Sequence, residues 1–275
     1  MVTHTTAPPA DLRRLCAQMR RWIIERSVAA HVGHIGSALS IVEIMAVLWG
    51  QTLRDPATPW PDRDRFILAK GHAALALYCV LYWKQLIDEA AFHSYCRDGS
   101  ALAAHPEAAL PGVEVATGSL GQGLSVGCGL AYALRRRGSP ARVYVLLSDA
   151  ECNEGQVWEA AMFAAHHHLG NLIGIIDQNG SQAMGPTRGI LDLHPLAERW
   201  RGFGWHVEEV NGHDEQALGA AFARAAEHAD HPSMIVARTT LGKGVDFMEN
   251  RVEWHYRNLT AELAADALRQ IGASR

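Results

Sequence analysis

Asp149 and Asn179 close two apolar runs and stand thirty residues apart. The runs VYVLLSD and LIGIIDQN read as strands, with an amphipathic helix between them. Parallel strands joined by one crossover helix end on the same edge of their sheet. A carboxylate oxygen and an amide oxygen therefore meet at the carboxyl edge, where open α/β folds bind ligands. Such a pair suits a Mg²⁺ ion that completes its shell with a diphosphate and water. Taken alone, the segment is also compatible with an ordinary βαβ unit that has an Asp and an Asn at its turns.

Four histidines, His34, His72, His105 and His255, fall at turns between elements. Neutral imidazoles can donate or accept near neutral pH, which suits a reacting oxygen that changes charge. Other features carry less. His166, His167 and His168 are read as consecutive on a helix, so their side chains diverge by about 100° and form no metal set. His31 and His34 have no second Cys or His pair nearby to make a zinc site. Cys152 lacks a base at a recognisable spacing and reads as a structural thiol. Lys243, between glycines, reads as loop cover.

The elements that hold these residues alternate between strand and helix. Asp11 to Ala30 has helical periodicity, HVGHIGSALS reads as a glycine-punctuated turn, and Ser40 is expected to cap the helix IVEIMAVLWG. A Pro-rich loop (Asp55 to Pro61) precedes the strand RFIL, which leads into Lys70-Gly71-His72. A helix follows to Gln85, then a loop-rich stretch, then a glycine-rich turn running into a buried helix. The later strands are HVEEV and SMIVART, with a loop to Arg257 and a terminal helix from Ala261. The alternation predicts an α/β fold, a doubly wound and mostly parallel sheet flanked by helices. Residues 1–10 are expected to be a disordered lead-in, and 11–275 a single domain with an irregular carboxy-terminal tail.

Composition narrows the function. The 275 residues are 48% hydrophobic and 20% charged, enough to bury one large α/β core. A net charge of −4 provides no basic field for nucleic acid or an anionic membrane. The five cysteines show no C-x-x-C pairing and suit a reducing compartment. No leader or spanning run is evident, so a soluble cytoplasmic protein is expected.

The phrases around the candidate residues resemble the transketolase amino-terminal half. SDAE, EGQVWEA and DQN stand where the family has Gly-Asp-Gly-Glu, Glu-Gly-x-x-Trp-Glu-Ala and Asp-x-Asn. HVGHIGSALSIVEIM, FILAKGHAALALY, AAHPE and TGSLGQGLSVGCGLA match further family phrases in the family's order, from roughly Leu12 to Tyr256. The departures are Ser148 and Ala150 in place of glycines, and Tyr256 where the family usually has Gly.

The resemblance implies thiamine diphosphate and Mg²⁺ as cofactors. It assigns Asp149, Asn179 and the Ser181 carbonyl to the metal, and the Ala150 N–H to the diphosphate. Gly118, Ser119 and Leu120 would line the cofactor's ring path. His72 and His255 would bridge diphosphate and substrate, while His34 and His105 would contact sugar hydroxyls. Glu154 would meet a partner carboxylate across an interface and share a proton with the aminopyrimidine. The pyrimidine-binding domain of long family members has no counterpart in these residues. The resemblance therefore implies the amino-terminal subunit of a split transketolase, moving a two-carbon ketol unit between sugars or sugar phosphates. Its partner would be a separate chain carrying the pyrimidine domain, in a two-plus-two heterotetramer. Two alternatives remain: another thiamine-diphosphate enzyme, of deoxyketose-synthase or decarboxylase type, or a scaffold subunit whose cofactor motif has decayed.

Overall fold

The computed structural model describes residues 9–54 and 63–273. Five strands build its central sheet: β1 (Arg65–Leu68), β2 (Val143–Ser148), β3 (Leu172–Gln178), β6 (His206–Asn211) and β7 (Ser233–Arg238). A small antiparallel pair, β4 (Ser181–Gln182) and β5 (Gly185–Pro186), follows β3. The central sheet is parallel throughout, in the order β1-β2-β3-β7-β6.

Side chains alternate between the two faces of a strand. Tyr144, Leu146, Ile173, Ile175 and Ile235 enter one hydrophobic cluster, while Val143, Val145, Leu147, Ile176 and Val236 enter the other. Both faces are covered by helices, which is why these strands read as unbroken apolar runs. The helices Pro9–Ala30, Val42–Val47, Ala74–Trp83 and Glu215–Glu227 supply the first cluster, and Gln122–Arg136 and Gly155–His166 the second. The doubly wound sheet expected from the alternation is present. The register pairs Ser148 with Asp177, so β2 and β3 end level and the residues that follow them emerge side by side.

Several local expectations change. The turn expected at HVGHIGSALS contains a short helix, Ile35–Ser40, whose residues are all buried. Burial of Ile35, Ala38 and Leu39 against the core outweighs the glycine punctuation. Ser40 is not a cap: its hydroxyl lies 2.8 Å from Asp177 Oδ2, to which it donates, and 3.0 Å from Ser37 O, which competes for the same proton. The following helix is Val42–Val47, and it widens into a π-helical turn over Leu48–Thr52. His166 ends the helix Gly155–His166, and His167 and His168 lie beyond it, His168 with φ 51°. The first helix begins at Pro9, inside the expected lead-in, while the rest of the lead-in and the Pro-rich loop lie outside the described residues.

Candidate functional site

Four chain segments leave the carboxyl edge of the sheet and converge. After β1 come Lys70 and His72, after β2 Asp149 and Ala150, after β3 Asn179 and Ser181, and after β7 a loop reaching His255. Several of these residues, together with His34, His105, Gly118, Leu120 and Glu154, line a cavity of about 310 Å³. Larger cavities of about 500 and 730 Å³ lie along the Pro9–Ala30 and terminal helices and are lined by none of these residues. The 310 Å³ cavity is the candidate because it gathers the four imidazoles with Asn179 and Ser181; Asp149 is buried behind its lining, between Ser148 and Ala150.

The four turn histidines form one cluster. His34 lies 5.2 Å from His72, 6.3 Å from His105 and 5.9 Å from His255 between ring centroids, and His72 lies 5.5 Å from His255. Burial lowers the His72 pKa well below 6.5, and the Lys70 ammonium and the other three imidazoles lower it further. His255 falls to about 4, first through burial and then through Lys70 and His34. His34 is also lowered, by burial and by His105. These three rings are therefore neutral at neutral pH. His34 Nδ1 and His255 Nδ1 are buried without a hydrogen-bond partner, as expected of groups that await a ligand. Among the described residues no group of three or more His, Cys, Asp or Glu side chains is disposed to hold a metal ion.

Two close approaches shape the cluster. Gly118 has φ 150°, and a Cβ there would come within 3.0 Å of the His105 ring. A Cβ on Gly33 would sit 2.3 Å from the Tyr256 carbonyl oxygen, so the turn carrying His34 and the one carrying His255 pack backbone to backbone.

Below the histidines lie the oxygen ligands. Asp149 is buried, and its Oδ2 accepts from Gly180 N at 2.9 Å, which ties it to the Asn179–Ser181 turn. Burial, then the neighbouring Asp177 carboxylate, pushes its pKa up to about 7. Asp149 has no salt-bridge partner among the described residues. Asn179 Nδ2 donates to Asp177 Oδ2 at 2.8 Å, which fixes Nδ2 on that side, and Asn179 Oδ1 accepts from Ser181 N at 3.0 Å. A buried carboxyl group without a counter-cation, beside an oriented amide oxygen, is a donor set that fits a divalent cation, whose charge would favour the ionised form.

Ala150 begins a 3₁₀ turn, Ala150–Asn153, and is not among the positive-φ residues, so this turn does not require glycine. The Ala150 N–H, which the resemblance assigns to the diphosphate, here donates to Asp149 Oδ1 at 2.9 Å. Ser119 is exposed and outside the cavity lining, whereas Gly118 and Leu120 line it. Glu154 lines it too, while Glu159 does not; both are exposed.

Sequence reasoning missed three buried charges. Lys70 and Asp177 pair with both side chains fully buried. Glu151 is 0% exposed and accepts from Gly121 N (2.9 Å) and Ser148 N (3.2 Å), and burial pushes its pKa up to about 7. The available signal was a charge inside an apolar strand or turn, which must find a partner when buried.

The parallel sheet, with an acidic turn and an amide turn at its carboxyl edge, defines a cofactor domain of the diphosphate-binding α/β class. Residues 13–274 match the family described as transketolase, thiamine diphosphate binding domain, and the chain belongs to that family. The 6-deoxy-6-sulfo-D-fructose transketolase subunit SqwG of Clostridium sp. (strain MSTE9) is 38% identical over 95% of this chain and 96% of its own length. One of the subunits of the apulose-4-phosphate transketolase of Phocaeicola vulgatus is 37% identical over 92% of this chain and 90% of its own. The transketolase from Leishmania mexicana superposes with a TM-score of 0.87 at 29% identity, covering 95% of this chain and 41% of that one. The chain thus spans about two fifths of that solved transketolase. No described helix is long and apolar enough to cross a membrane.

Proposed function

We propose that this chain is the amino-terminal subunit of a two-chain transketolase that transfers a two-carbon ketol unit from a ketose to an aldose. The observation that carries this reading is the gathering of Asp149, Asn179 and four histidines at one edge of a thiamine-diphosphate-binding domain. The near-complete coverage of two relatives named as transketolase subunits supports a separate partner carrying the pyrimidine domain. A two-plus-two heterotetramer and a cytoplasmic location belong to the same proposal. So does a single domain over 11–275.

Asp149, Asn179 and the Ser181 carbonyl would hold Mg²⁺, and Ala150 N–H would turn from Asp149 to the diphosphate. Gly118 and Leu120 would flank the cofactor's rings, with Ser119 at their outer edge. Bound thiamine diphosphate supplies the carbanion chemistry. His72 and His255 would bridge diphosphate and reacting sugar, and as neutral rings they could accept a hydroxyl proton and return it. His34 and His105 would orient the sugar's hydroxyls. Glu154, at the rim, would meet a partner carboxylate and share a proton directed to N1′ of the aminopyrimidine.

The two subunit relatives are named for a sulfonated and a phosphorylated sugar, so an anionic ketose is the substrate class to try first. The test is ketol transfer between a panel of ketose and aldose phosphates by the chain mixed with its partner. Transfer only by the mixture, dependent on thiamine diphosphate and Mg²⁺, is the expected result. Transfer by the chain alone overturns the split arrangement.

A further inference from the structure

Asp177 is the last buried residue of β3, its side chain is fully buried, and it touches four of the segments that carry the candidate site. Ser40 Oγ, at the end of the helix that follows His34, donates to Asp177 Oδ2 at 2.8 Å. Lys70 Nζ, two residues before His72, donates to the same oxygen and to Ser37 O. Asn179 Nδ2 is the third donor to Oδ2, at 2.8 Å. Thr239 Oγ1, opening the loop that ends at His255, donates to Oδ1. Four donors, three from distant segments and one from the turn just after Asp177, occupy one carboxylate, which has about four acceptor positions.

We propose that Asp177 is the positioning residue that locks the metal-ligand turn to the histidine cluster. This rests on the function proposed above and adds a role for a residue outside the cavity lining. The geometry carries it in three ways. The carboxylate holds Asn179 Nδ2, which leaves Asn179 Oδ1 as the oxygen available to a cation. Through Lys70 it fixes the backbone from which His72 projects. Through Ser40 and Thr239 it sets the spacing between the segments of His34 and His255, whose rings stand 5.9 Å apart. A purely structural ion pair would need Lys70 alone. The three further donors each lead to a different part of the site.

The experiment uses the full chain and two readouts. The first is the Mg²⁺ dependence of thiamine diphosphate binding, by calorimetry on the chain mixed with its partner. The second is the set of histidine imidazole resonances in the cofactor-free chain. Asp177→Asn, and the charge-balanced Asp177→Asn with Lys70→Met, should weaken the apparent Mg²⁺ affinity by about 10- to 100-fold, as for residues that orient metal ligands. They should also shift the His34, His72 and His255 resonances together, at temperatures well below the melt. Ser40→Ala should shift His34 most and Thr239→Val should shift His255 most, each with a smaller loss of affinity. These neutral single-donor changes keep the test decisive should the Asp177 variants fail to fold.

A folded Asp177 variant with wild-type Mg²⁺ affinity and wild-type imidazole resonances overturns the inference alone. So does the absence of any change in both Ser40→Ala and Thr239→Val. A wild-type chain that binds no Mg²⁺ and thiamine diphosphate even when mixed with its partner overturns the proposed function, and this inference with it.

Discussion

The ring of Tyr256 meets the ring of His34 edge-on, with centroids 4.7 Å apart and planes at 84°. Tyr256 is 71% exposed, yet its backbone is held against Gly33 on the turn that carries His34. An exposed aromatic at the mouth of a polar cavity, in contact with one of its imidazoles, limits how that imidazole can turn. Aromatic pairs contribute about 0.5–1.5 kcal/mol beyond area burial, which bounds the effect to about tenfold in rate. Tyr256→Gly should therefore lower kcat/KM for the ketose by about tenfold at most, with cofactor affinity unchanged, and Tyr256→Phe should retain activity. Steady-state kinetics on both variants decides; a loss as large in Phe as in Gly would assign the role to the hydroxyl.

The two side chains proposed to hold Mg²⁺ differ in charge, and their variants should differ accordingly. Asp149→Ala removes an anionic oxygen and Asn179→Ala a neutral one, so the first should weaken Mg²⁺-dependent cofactor binding more. Asp149→Ala also releases Gly180 N, so the Asn179–Ser181 turn should loosen with it. Titration of each variant with thiamine diphosphate at several Mg²⁺ concentrations measures both. Equal and unchanged affinities would remove these residues from the site.

Ala150 shows how far a departure from a family phrase matters. The turn takes 3₁₀ form without positive φ, so glycine offers no conformational relief here. Ala150→Gly should cost about 0.5–1 kcal/mol of stability through chain entropy and leave cofactor affinity within a few-fold. Thermal melts and calorimetry on one preparation test both halves. A severe loss of affinity would mean the methyl group packs against the bound cofactor.

The neutral histidines set a pH dependence whose sign follows from their shifts. His255 has a folded pKa of about 4, against 6.5 for an unperturbed imidazole. Between these values the unfolded chain takes up a proton that the folded chain does not, so this group lowers stability as pH falls through that window. The cost is absent above the upper value and complete below the lower one. Relative to His255→Asn, the wild type should lose stability on acidification from about pH 6.5 to about 4. Urea unfolding of both proteins across that range shows it, and the His255 imidazole resonance should titrate near the lower limit. A midpoint near the unperturbed value would mean that the ring is solvated and the cluster more open than its burial indicates.

Much of this was legible because the strands are buried on both faces. VYVLL and LIGII are unbroken apolar runs within β2 and β3, and the ends of these strands place Asp149 and Asn179 at one edge. The turn histidines were legible through their phrases, and the structure brings all four to one cavity. The roles of Lys70, Ser40 and Thr239 were not legible, because each acts through Asp177 from a distant part of the chain. Ser40 and Asp177 are 137 residues apart, and only tertiary packing makes them neighbours. The helix Ile35–Ser40 was hidden by glycines whose local preference lost to burial of its apolar residues.

Glu154 carries the last prediction, because it links this chain to its proposed partner. It precedes the helix Gly155–His166 without capping it with its side chain, and it lines the cavity while remaining exposed. An acidic side chain free of local duty at the rim is available to a group on another chain. If a partner carboxylate lies against it, the two share a proton, because like charges at close range cannot both ionise without cost. Glu154→Gln keeps the shape and removes the charge, so the variant should fold and assemble with the partner. It should slow exchange of the C2 proton of bound thiamine diphosphate, by about the 10²–10⁴-fold typical of a lost proton-transfer group. Exchange is followed by proton NMR after acid quench in D₂O, and assembly by sedimentation. Wild-type exchange in an assembled Glu154→Gln enzyme would remove the proton-sharing role and leave the split-enzyme reading in place. Failure of the variant to assemble would instead assign Glu154 to the interface itself.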